Sequence, residues 1–160
     1  MPKQALEVSM TLQGVERVTI NDPANFTWRL KIKCTHCNTE HSKNVFVCEN
    51  EKEDKNVKSG TSETNLNFTC PNCKRQSTLD IVSGSFKEIS GSEKFFPMIQ
   101  FDGRGIEVVK WEPEGNEGLV AYNSEGTSFE VNLENGEYYD YDEDTEQEIS
   151  VTNIKTRLGK

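Results

Sequence analysis

A chain of 160 residues suits one domain or two small ones, and with 33% apolar residues and a mean hydropathy of −0.72 its core is thin enough to call for added stabilisation such as a bound metal. A formal charge of −9 repels phosphate backbones and anionic lipid, which disfavours nucleic acid and a membrane surface as partners. No stretch approaches the ~20 apolar residues of a transmembrane helix, and the opening Met1-Pro2-Lys3-Gln4-Ala5-Leu6-Glu7 lacks the apolar run of a secretory leader, so the expected setting is the cytoplasm, with the nucleus as a further compartment.

Taken in chain order, the apolar residues recur with a period of two, as strands require. The first such run covers residues 6–12. Next, Trp28, Leu30 and Ile32 alternate with Arg29, Lys31 and Lys33 and lead directly into Cys34, which predicts a half-buried strand with a basic outer face. Short runs of the same kind follow at residues 45–48, 66–70, 79–82, 98–101, 106–111, 119–122 and 129–133. Between them lie turn formers: Asn21-Asp22-Pro23, Ser83-Gly84-Ser85, Asp102-Gly103-Arg104-Gly105 and Asn135-Gly136. Many short strands with regular turns predict a mainly β protein of sandwich-like or barrel-like form.

Two stretches carry weak order signals. Residues 49–62 are charged and polar around a lone Val57, which predicts an exposed loop between strands. Residues 134–148 hold eight Asp and Glu and no Lys or Arg, and read as a solvated acidic loop, although Tyr138, Tyr139 and Tyr141 call for some packing. An offset of 69 lays Phe26, Leu30, Ile32 and Cys34 over Phe95, Ile99, Phe101 and Gly103. An offset of 66 lays Gly60-Thr61-Ser62 over Gly126-Thr127-Ser128, with Asn65-Leu66 and Asn132-Leu133 following. These matches suggest two pseudo-symmetric small β units, residues 1–78 with a metal and residues 79–160 without one.

Cys34-Thr35-His36-Cys37 and Cys70-Pro71-Asn72-Cys73 are the chemically specific features. A Cys-x-x-Cys at a strand end forms a tight knuckle with both thiolates pointing one way, and two knuckles complete a tetrahedron around zinc. The expected site is therefore one zinc per chain on Cys34, Cys37, Cys70 and Cys73, in a zinc-ribbon-like double knuckle. The 32 residues at positions 38–69 exceed the ~15–20 of a compact ribbon. The predicted loop at 49–62 accounts for the excess. A redox pair would need a βαβ setting and a helix N-terminus to lower one thiol's pKa, and no helical pattern follows either motif. Four thiolates leave no open position for water or substrate, which makes the site structural.

Other candidates are weaker. Cys48 at the end of the 45–48 run reads as a buried, inert thiol. His36 and His41 lie beside the first motif, but the four cysteines already suffice. The acidic stretch lacks EF-hand spacing, and Asp102-Gly103-Arg104-Gly105 lacks the Lys-Ser or Lys-Thr and the helix of a phosphate loop, so it predicts a tight turn. No Ser-His-Asp or paired-carboxylate arrangement stands out. The expectation is a non-catalytic module with a protein partner, monomeric, rather than an enzyme. The alternative is a metal-handling or thiol-exchange protein using the same cysteines.

The run Phe26-Thr-Trp-Arg-Leu-Lys-Ile-Lys-Cys34-Thr-His-Cys37, then Cys70-Pro-Asn-Cys73, Phe101-Asp-Gly-Arg-Gly-Ile-Glu107 and Tyr139-Asp-Tyr-Asp-Glu143, resembles the eukaryotic CXXC-motif-containing zinc-binding protein family over nearly the whole chain. The resemblance implies a single family domain over residues 1–160, a mostly β fold with paired subdomains, zinc on the four cysteines and no particular activity. Gly103 is one departure, since some relatives carry a cysteine there before Arg-Gly-Leu-Glu; that cysteine is not a general ligand.

Overall fold

The computed structural model describes residues 3–51, 53–54, 63–113, 118–133 and 136–159. Most of the expected 49–62 loop, the 60–62 segment of the second sequence offset and Asn135 of the expected Asn-Gly turn lie outside them. The described chain is nearly all β, as its period-two pattern requires. Among the described residues fourteen strands run in order: β1 (Lys3–Gln13), β2 (Arg17–Ile20), β3 (Thr27–Cys34), β4 (Val45–Cys48), β5 (Glu53–Asp54), β6 (Glu63–Thr64), β7 (Leu66–Thr69), β8 (Gln76–Ile81), β9 (Phe96–Arg104), β10 (Ile106–Trp111), β11 (Leu119–Tyr122), β12 (Ser128–Glu130), β13 (Tyr138–Asp142) and β14 (Gln147–Gly159). A 3-10 turn, Pro23–Asn25, precedes β3. No helix among the described residues is long and apolar enough to cross a membrane.

A six-stranded sheet has the order β13-β14-β1-β9-β8-β7, and two three-stranded sheets have the orders β10-β3-β4 and β12-β11-β2. β5 pairs with β6 as a short ladder, so Glu53–Asp54, inside the expected loop, is strand and meets Glu63–Thr64 just after it. The sheets curl about one core as a half-barrel. Strict alternation shows in β3, where Trp28, Leu30, Ile32 and Cys34 are buried and the residues between them half-buried. Leu6 and Val8 of β1, Leu79 of β8, Phe101 of β9 and Trp111 of β10 face the same interior. At its centre Trp28 packs against Trp111 at 5.3 Å, Phe101 at 6.2 Å and Phe26 at 4.8 Å between ring centroids. Fully burying one such side chain stabilises the fold by about 1.5–3 kcal/mol, and aromatic pairing adds to that.

The strands that the 69-residue offset lays over each other, β3 and β9, both bury alternate residues. They lie in different sheets with different neighbours. Each of the three larger sheets draws strands from both sides of residue 78, so pairing does not divide the chain there.

Two buried amides lock the sheets together. Gln4 of β1 accepts from Val108 N–H at 2.8 Å and donates to the Val108 carbonyl at 3.1 Å, serving as a substitute strand residue at the β10 bulge. Asn65 donates to the carbonyls of Cys48, Glu49 and Glu51 at 3.0–3.2 Å and accepts from Ile81 N–H at 2.8 Å, which ties the end of β4 to the β7–β8 hairpin.

Candidate metal centre

The cysteine pairs sit in two local structures of the same build. In the first, Cys34 N–H donates to the Thr39 carbonyl at 3.0 Å, and in the second Cys70 N–H donates to the Arg75 carbonyl at 3.0 Å, five residues on in both cases. The residue after each second cysteine has a left-handed backbone, Asn38 at φ +58° and Lys74 at φ +65°. Each motif is thus a tight reversal that aims its two sulfurs the same way.

Strand register brings the two reversals together. Thr69 pairs with Gln76, so the second knuckle is the tip of the β7–β8 hairpin. Thr78 of β8 lies opposite Arg104, the last residue of β9. After Gly105 the chain leaves the six-stranded sheet and continues as β10, whose first residue Ile106 lies opposite Cys34. Thr35 N–H donates to the Gly105 carbonyl at 3.0 Å and fastens the first knuckle to this corner. The corner needs glycine twice. A β-carbon on Gly103 would collide with the Ile106 carbonyl, and one on Gly105, already at φ +85°, would stand 2.5 Å from Ser77 Oγ. The segment expected as a tight turn is therefore strand through Arg104, and its glycines serve close backbone approach.

All four sulfurs lie within 4.8 Å of one another. Cys34 Sγ is 3.6 Å from Cys73 Sγ, and Cys37 Sγ is 3.7 Å from Cys70 Sγ. A tetrahedral zinc with Zn–S bonds of ~2.3 Å holds its sulfurs ~3.8 Å apart, so the donor set and its spacing fit a single such ion. Among the described residues this is the one group of three or more Cys, His, Asp or Glu with that convergence. Cys34 and Cys70 are buried, whereas Cys37 and Cys73 are half-buried.

Polar neighbours set the sulfurs apart as acids. The Asn72 side chain, then the Thr39 side chain and backbone, bond the Cys37 sulfur and draw it down to about 5. At Cys73 the backbone of Arg75 favours the thiolate, but burial and hydrogen bonds shared with Cys34, Cys70 and Cys37 outweigh it and push the thiol up to about 11. Asn72 Nδ2 also donates to Thr39 Oγ1 at 3.2 Å across the two knuckles. Spacing alone did not reveal Asn72 and Thr39; their only signal is that each is polar and sits in or just after a knuckle.

The remaining candidates lie outside the group of converging ligand atoms. His36 is exposed, and His41 packs edge-on against Phe68 at 4.9 Å, forming with Pro71 and Cys70 part of a groove of about 310 Å³. Cys48 is buried at the other end of the β3–β4 pair, its Sγ 3.4 Å from the Ala24 carbonyl. Lys33 turns to Glu107 of β10 at 2.9 Å, which raises its pKa.

Known proteins resemble this chain over nearly its whole length. A rat protein named CXXC motif containing zinc binding protein is 30% identical, covering 100% of this chain and 99% of its own. The UPF0587 protein F46B6.12 of Caenorhabditis elegans is 31% identical over 99% of this chain and 95% of its own. The crystal structure of C1orf123 superposes with a TM-score of 0.87 at 25% identity over 99% of both chains. A hypothetical protein from Plasmodium falciparum, 17% identical, has the same fold, with a TM-score of 0.82 over 99% of this chain and 100% of its own. The profile for the CXXC motif containing zinc binding protein, eukaryotic, matches residues 5–159, and the chain belongs to that family.

Proposed function

We propose that Cys34, Cys37, Cys70 and Cys73 hold one structural zinc and that the chain acts as a monomeric, non-catalytic module for a protein partner in the cytoplasm or nucleus. The observation that carries this reading is the closed donor set. Four sulfurs from two rigid knuckles fill the tetrahedron that zinc prefers, and no position is left for a substrate. The knuckles end strands of two different sheets, so an ion shared between them fastens one sheet to the other. The four-sulfur site also contributes folding free energy in a chain with a thin core.

The test is elemental analysis of protein purified without chelator, beside Cys70→Ser. One zinc per chain in the parent, with loss of the metal and a fall in melting temperature on the order of 10 °C or more in the variant, supports the structural role. Absent zinc, or zinc removed by a chelator with the melt unchanged, overturns it.

The half-exposure of Cys37 and Cys73 supports a second reading, a metal-handling protein that hands its ion to another thiol. That reading requires zinc to exchange faster than the fold opens, and it fails where chelator removes zinc only at the unfolding rate.

A further inference from the structure

The negative charge of this protein is concentrated in one stretch of its sequence. Residues 134–148 carry eight carboxylates and no Lys or Arg, a charge of −8 against −9 for the whole chain, so the remaining residues stand within one charge of neutrality. Most of that segment is the β13–β14 hairpin, which closes one side of the six-stranded sheet. Among the described residues no strand lies outside β13, and its edge offers backbone hydrogen-bonding groups. Tyr141 N–H donates to the side chain of its own neighbour Asp140 at 2.8 Å.

This edge also carries aromatic surface. Tyr139 and Tyr141 are 66% and 50% exposed, and as alternate strand residues they share one face, with the exposed Asp140 between them on the other. Free edges in water are ordinarily blunted by charged side chains, lysine above all, or by proline, and rarely present aromatic rings. Here the edge presents two tyrosine rings in a field of carboxylates, and each ring face attracts a cation.

We infer that β13 is a docking edge for an extended, cationic segment of a partner protein, which adds as a further strand and sets Lys or Arg side chains over Tyr139 and Tyr141. Charge decides the occupant: a second copy of this chain would bring another acidic hairpin, and like charges directly opposite repel. Main-chain bonds to β13 supply a sequence-independent part of the affinity, and the acidic field speeds encounter at low salt. This deepens the proposed interaction role and uses no cysteine, so its failure leaves the zinc reading standing.

The experiment uses the zinc-loaded full chain and a labelled short peptide alternating arginine and threonine, followed by fluorescence anisotropy and amide NMR. A second peptide of arginine, threonine and proline carries the same charge but cannot extend a sheet. Expected are saturable one-to-one binding, amide shifts centred on residues 138–142, and affinity about tenfold lower both for Tyr139→Ser/Tyr141→Ser and for the proline peptide. Equal binding of the two peptides, shifts centred elsewhere, or no binding at low salt overturns the proposal. The peptide comparison on the parent protein decides the matter even where the double variant is unstable.

Discussion

Lys74 holds a backbone angle of φ +65° after the second knuckle, in a region where a β-carbon crowds the following carbonyl at a cost of about 1–2 kcal/mol. Asn38 stands in the equivalent place of the first knuckle, and asparagine accepts that conformation more readily. The exposed bond from Lys74 Nζ to the Pro71 carbonyl recovers little, because water competes for both groups. Lys74→Gly is expected to stabilise the protein by about 0.5–1 kcal/mol, raising the melting temperature by roughly 1–4 °C, and Asn38→Gly by less. A lower melting point for Lys74→Gly would show that the strain is absent. At this scale the sequence was most legible: the spacing of four cysteines named the candidate ligands, because a knuckle is a local structure. Gly103 and Gly105 were not legible. Glycine in a sequence signals a turn as readily as a close approach, and only the neighbouring Ile106 carbonyl and Ser77 side chain tell the two apart.

The β13–β14 hairpin shows what patterning misses in an element. Its residues looked like a solvated acidic loop, yet Tyr138–Asp142 pairs with residues 147–151 in full register. Asp142 is buried and accepts from Asn123 Nδ2 at 3.2 Å, Thr145 Oγ1 at 2.8 Å and Asp144 N–H at 3.1 Å, so its carboxyl group has partners both in the turn and from Asn123 beyond it. β14 continues for 13 residues, but Asn153 at φ +52° and the register shift opposite Ser9–Thr11 break the alternation a reader of sequence relies on. Tyr138 donates its hydroxyl to Asp140 Oδ2 at 2.7 Å. Burial first, then this bond, raises the tyrosine pKa, and the same bond, with Tyr141 N–H, lowers that of Asp140. The raised Tyr138 value gives stability that is present below the unfolded tyrosine pKa of ~10 and lost as pH rises through the folded one. The lowered Asp140 value gives stability that is present above the unfolded ~3.9 and lost as pH falls through the folded one. Tyr138→Phe is therefore expected to flatten the melting temperature against pH at both ends of the range. Parallel pH curves for parent and variant would refute the coupling.

Across the whole molecule, strands were legible and their neighbours were not. Residues 45–48, 106–111 and 119–122 were expected as strands with the bounds that β4, β10 and β11 have, because each is a short apolar run between turn formers. Sheet order depends on long-range register that no local pattern encodes, and so the joining of the two knuckles by the β9–β10 corner emerged only in three dimensions. That joining makes stability uneven. β7 is the far edge of the six-stranded sheet and fully buries none of its four residues, whereas Leu6, Val8 and Met10 of β1 are buried between β14 and β9. Chelating the metal is expected to speed amide exchange on the order of a hundredfold or more in β7, β8 and the Cys34 end of β3, while β1 and its β14 partners stay protected. A uniform rise across all strands would mean that the ion holds the entire fold rather than one end. The paired indoles supply an optical consequence. The chain has two tryptophans, both fully buried with ring centroids 5.3 Å apart, and both lie on strands of the sheet that carries the first knuckle. Their transitions couple as one chromophore, so circular dichroism and emission report the closure of the core without any attached label.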